Sequence, residues 1–173
     1  MSHDLALGEL SHACERLEHY RGQVARCVQL LSVEELWSQP NAHVNSVANL
    51  VLHLTGNVRQ WIIGGVAGIP VERDRPAEFA ARGDHQAAPD VLAGLTAVVC
   101  DAISVLSELQ AAELTEVSTI QGYEVSVQTA VLHVVEHFAF HAGQIVHATK
   151  WIKDVDLSLY DSQGQRMDGS GHP

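Results

Sequence analysis

The chain has 173 residues, 46% of them hydrophobic and 18% charged, enough for one core of ordinary domain size and too few for two. Ten Lys and Arg stand against 21 Asp and Glu, and a formal net charge of −11 repels nucleic-acid phosphates, which excludes DNA and RNA as expected partners. No run approaches about 18 consecutive apolar residues, and MSHDLALGEL is not a basic-then-apolar export leader, so a soluble, cytoplasmic protein with no membrane role is expected.

A first long helix is predicted from about His3 to Leu31, where Leu10, Cys14, Leu17, Val24, Val28 and Leu31 recur at helical spacing. Ser32 and Glu35 fit a capping box for a short turn through Trp37, which Pro40 keeps from continuing. The second helix should begin near Ser46, carry Val47, Leu50, Val51, Leu54, Val58, Trp61 and Ile62 inward, and end at Gly64-Gly65, where positive φ is cheap.

The stretch from Val66 to Ala88, with Pro70, Pro76 and the charged run ERDRPAEF, reads as a long crossover with room for a helical turn. Such a connection lets the second and third helices run parallel. The third helix is predicted from Pro89 or Asp90 to about Gln110, and β-branched runs flanking Gln121-Gly122 suggest a small β-hairpin. The fourth helix should run from about Ser126 to Ile152. The expected organisation is therefore an all-α four-helix bundle over residues 1–153, followed by a C-terminal tail, 154–173, with too little apolar content to fold alone.

Cys14, Cys27 and Cys100 are odd in number and form no CxxC pair, which argues against a disulfide framework or a thiolate zinc site and suggests small core residues. The 11 histidines are the unusual feature. Written as heptads, the fourth helix places Val127, Ala130, Val134, His137, His141, Gln144, Ala148 and Trp151 on one inward seam. His137 and His141 are thus one turn apart on one face, near enough to share a metal ion. His133 extends the series, but its Cα lies about 12 Å along the axis from that of His141, too far for one ion to hold both.

A third donor must come from another helix, and His53 in NLVLHLTGN, at the edge of the second helix's apolar face, is the best placed. Asn57, one turn further, and Gln144 are candidates to orient a bound water or a ligand's second ring nitrogen, with an interhelical hydrogen bond as the plainer alternative. The plainer reading of the histidines is a set of hydrogen-bonded core residues. His3, His12, His19, His43, His85, His147 and His172 fall into no such pattern. A second apolar stripe on the fourth helix, Val131, Phe138, Ile145 and Ile152, suggests a homodimer, although a helix broadly buried within one chain gives the same pattern.

Through NSVANLVLHLTGNVRQW and HVVEHFAFHAGQI the chain resembles the DinB-like (YfiT-like) superfamily of metal-dependent helical bundles, over most of residues 1–153. The resemblance implies a four-helix bundle with a crossover between helices 2 and 3. It also implies a zinc, nickel or iron ion on His53, His137 and His141, and frequent homodimerisation; His133, read from the helix spacing alone, is a candidate to support the site. Some members of that superfamily act on low-molecular-weight thiol conjugates. The expected function is a metal-dependent enzyme, a thiol-dependent S-transferase or a hydrolase, acting on a small molecule. The alternative is a non-catalytic metal-binding bundle that serves as a structural or interaction module.

Overall fold

Serine residues start three of the helices. In the computed structural model, which describes residues 3–83 and 88–167, Ser32, Ser46 and Ser126 each accept a hydrogen bond from the backbone N–H three residues on. Ser32 with Glu35, and Ser46 with Asn49, complete reciprocal capping boxes. The helices are α1 (His3–Leu30), α2 (Val33–Trp37), α3 (Val47–Val58), α4 (Arg75–Ala80), α5 (Ala88–Glu108) and α6 (Val127–Lys153). A π-helical stretch, Arg59–Val66, prolongs α3. Strands β1 (Val117–Ile120) and β2 (Tyr123–Ser126) form the expected antiparallel hairpin, turning at Gln121 and Gly122, both with positive φ.

The long helices α1, α3, α5 and α6 form the bundle, and specific contacts fix their directions. Glu9 meets Gln128 and Tyr20 stacks on Phe138, so α1 and α6 are parallel. His53 meets His137 while Trp61, a little further along, meets His133, so α3 runs against α6. Cys14 lies beside Ser107 and Arg21 beside Cys100, so α5 runs against α1. Helices α3 and α5 are therefore parallel and packed together, as the crossover requires.

The crossover contains α4, capped by the Asp74 carboxylate on the Ala77 N–H, with Pro76 in its first turn. Gly64 and Gly65 do not end the helix as expected: they lie inside the π-helical stretch, and Gly68, with φ +68°, follows it. Close packing explains the pair. A Cβ on Gly65 would stand 2.2 Å from Ile120 Cδ1, and one on Gly64 2.7 Å from Val71 Cγ2.

Along α6 the core residues are Val127, Ala130, Val131, Val134, Phe138, Ala142, Ile145 and Thr149. The strict heptad seam holds as far as Val134 and then turns outward, leaving Gln144 exposed and Trp151 68% exposed. A straight helix drifts from a 3.5-residue repeat by about 20° per heptad, about 70° between Val127 and Trp151. The stripe of Val131, Phe138 and Ile145 is buried within the single chain, which accounts for the apolar character that a dimer was expected to explain.

Of the three free cysteines Cys27 is buried and Cys14 half-buried, but Cys100 is exposed on α5, contrary to expectation. By length and apolar content α5 is suited to crossing a membrane, yet it packs as a bundle helix, with Val91, Leu95, Val98, Val99, Ala102 and Leu106 buried. After α6, Leu157 returns to the core.

Candidate metal centre

His53, at 5% exposure, faces His137 and His141 across the α3–α6 contact. The ring centroids are 4.9 Å apart for His53–His137, 5.1 Å for His53–His141 and 4.5 Å for His137–His141. One nitrogen from each ring lies within 4.8 Å of the others, and this is the one group of His, Cys, Asp or Glu among the described residues arranged to hold an ion. Phe79 lies against His53 at 4.7 Å, and exposed Phe140 sits beside His141 at 5.3 Å.

Hydrogen bonds select the free nitrogens. His53 Nδ1–H donates to Glu78 Oε2 at 2.8 Å, which leaves Nε2 as an acceptor. His141 Nδ1–H donates to Gln144 Oε1 at 2.8 Å, leaving its Nε2 free in the same way. His53 Nε2 and His137 Nε2 are 3.1 Å apart, with one proton between them. Ligands at 2.0–2.1 Å from a tetrahedral ion stand about 3.3–3.4 Å apart, so a cation replacing that proton would find both lone pairs near coordination spacing. The donor set fits a borderline divalent metal: nitrogen only, neutral, and drawn from two helices.

On α6 the rings favour the uncharged form that a ligand requires. Burial, reinforced by His141 and His53, pushes His137 down to about 3. Burial is also the main cause of the lowered values of His141 and His133. Burial raises Glu78, but hydrogen bonds from Arg73 and His53 outweigh it, and the carboxyl ends below its ordinary value.

Of the residues expected to support the ligands, Gln144 contacts one directly. Asn57 is buried, but its Oδ1 has no hydrogen-bond partner, and neither does His137 Nδ1, so the two do not pair with each other. His133 stacks on Trp61 and stands outside the group of three. Among the other histidines, His85 and His172 lie outside the described residues. The sequence reading missed Glu78 and Arg73, which reach the site from the crossover.

A family model described as "Protein of unknown function (DUF1572)" matches residues 4–161. Among solved structures, a DinB-like protein from Bacillus cereus ATCC 10987 is similar, with a TM-score of 0.62 at 15% identity over 78% of this chain and 86% of that one. A conserved protein from Enterococcus faecalis also has a TM-score of 0.62, at 18% identity over 90% of this chain and 99% of that one. The fold is thus DinB-like. No curated protein matches the chain.

Proposed function

The chain belongs to the DUF1572 family, and from that premise we propose that it is a metal-dependent enzyme in which His53, His137 and His141 hold a zinc, nickel or iron ion. The carrying observation is the convergence of three imidazoles, with His53 Nδ1 and His141 Nδ1 already engaged elsewhere. Such an ion, when bound, lowers the pKa of a coordinated water or thiol and supplies a nucleophile near neutral pH. The ligand set contributes no negative charge, which favours an anionic fourth ligand. Among the described residues no fourth donor joins the three, consistent with an open position. Phe79 and Phe140 flank the rings with apolar surface that limits water on those sides.

The substrate in this reading is a small molecule, a low-molecular-weight thiol or its conjugate, and the reaction is an S-transfer or a hydrolysis. Copies of the chain pair as homodimers, for which Leu132, Phe140 and Trp151 offer an exposed apolar edge on α6. Elemental analysis of untagged protein, purified without added metal or chelator, should find stoichiometric divalent ion. A thiol-conjugation assay should then lose turnover in His137→Ala; full metal content and turnover in that variant would refute the mechanism.

A second reading is favoured by the origin of the ligands on two helices, 84 residues apart from His53 to His137. In a non-catalytic bundle the ion ties α3 to α6. Metal removal then lowers the melting temperature while no reaction depends on it.

A further inference from the structure

The side of His53 turned away from the other two rings is built as carefully as the side facing them. Glu78 Oε2 accepts from His53 Nδ1–H, and the carboxylate is held from behind by Arg73, whose Nε donates to Oε1 at 2.6 Å and Nη2 to Oε2 at 2.9 Å. Arg73 Nη1 is fixed in turn by Gln60 Oε1 at 2.8 Å, from the π-helical stretch. Asn49 Nδ2 donates to the Glu78 carbonyl at 2.9 Å and the Ala81 carbonyl at 3.1 Å, locking α4 against α3. The side chains of Glu78 and Arg73 are only 10% and 7% exposed.

Gly56 supplies independent support. It sits inside α3, where glycine is unfavourable, and a Cβ there would stand 2.0 Å from Glu78 Oε1 and 2.8 Å from Arg73 Nε. The helix thus gives up a side chain at the place where the carboxylate lies against its backbone.

We propose that Glu78 is the positioning residue of the metal centre: its carboxylate, seated on Gly56 and clamped by Arg73, holds His53 with the proton on Nδ1 and the Nε2 lone pair aimed at His137 and His141. This rests on the metal reading above. The bond made by one imidazole nitrogen sets the state of the other, and supporting carboxylates of this kind govern metal affinity. Glu78 acts through His53 and touches no substrate.

The substitution Glu78→Gln keeps shape and removes the charge. Arg73 donates to both carboxylate oxygens, so in either orientation the amide NH2 faces an Arg73 N–H, and the neutral side chain no longer holds the ring proton on His53 Nδ1 by its charge. Zinc affinity, measured on untagged protein by competition with a chromophoric chelator, should fall about 10–100-fold. Imidazole 15N spectra of the metal-free protein should show the His53 proton no longer confined to Nδ1. Gly56→Ala should also weaken zinc binding although alanine is the better helix former, an outcome that a purely structural role for Glu78 would not produce. Zinc affinity within twofold of the parent in both variants overturns the proposal. Should the parent itself bind neither zinc, nickel nor iron(II), the metal reading fails, and a His53 proton still confined to Nδ1 in Glu78→Gln then overturns the positioning role separately.

Discussion

Trp61 and His133 lie ring on ring, their centroids 4.0 Å apart and the planes tilted by 35°. The stack lies at the far end of the α3–α6 contact from His141 and marks where the histidine series HVVEHFAFH passes from ligand candidates to packing. Substituting His133→Phe keeps a ring against Trp61 and removes a base that burial already disfavours in its charged form. Metal content should be unchanged and the melting temperature equal or higher. Loss of metal from this variant would move His133 into the ligand set.

His137 is the central ring, in contact with both His53 and His141. In the parent, zinc at about 100 times its Kd should stabilise the folded chain by about 2.7 kcal/mol. For a chain of this size that corresponds to a melting shift of about 5–10 °C. In His137→Ala the shift should collapse to within about 1–2 °C, which differential scanning fluorimetry with and without zinc can read.

Acid should destabilise the metal-free protein in a defined window. The folded value of His137, about 3, lies below the ordinary value of 6.5, so between those limits the unfolded chain binds a proton that the folded chain does not. The stability contributed by the neutral ring is present above about pH 6.5 and is lost as pH falls toward 3. Glu78, lowered relative to 4.5, contributes in the same direction at the acid end of that window. Urea midpoints of the metal-free chain should therefore fall from pH 7 to pH 4, and His137→Leu should flatten the upper part of the slope. An identical slope in the variant would show that His137 is not the source.

Two glycines should respond to alanine with opposite signs. Gly22 lies within α1 with nothing within 4 Å of the place an added Cβ would take, so Gly22→Ala should stabilise by up to about 1 kcal/mol through helix propensity. Gly65 lies under Ile120, and Gly65→Ala must push the hairpin from the π-helical stretch, at a cost of about 1–3 kcal/mol. Chemical denaturation of the pair separates propensity from packing.

Much of the bundle was legible because it is written in local patterns. Ser32 with Glu35, the serine before each of α3 and α6, and the glycine turn at Gln121-Gly122 act within a few residues, where stereochemistry leaves little choice. The three histidines were legible for a related reason: a spacing of four puts His137 and His141 on one face, and His53 lies on a helix whose apolar face is plain.

Glu78 and Arg73 were not legible, since they lie 25 and 20 residues from His53 in a segment without periodicity. A signal did exist in Gly56, an isolated glycine inside an otherwise apolar helix, which often marks a close approach of something from outside. Trp151 was misplaced because a repeat of 3.5 was carried further than a straight helix allows.

The separation of 84 positions from His53 to His137 also sets a timetable. A ribosome adding about 5–20 residues per second delivers the second ring several seconds after the first. Throughout that interval the nascent chain holds a single member of the trio, so a cation held by all three rings could load only after His137 had been added and could not guide the docking of the earlier helices.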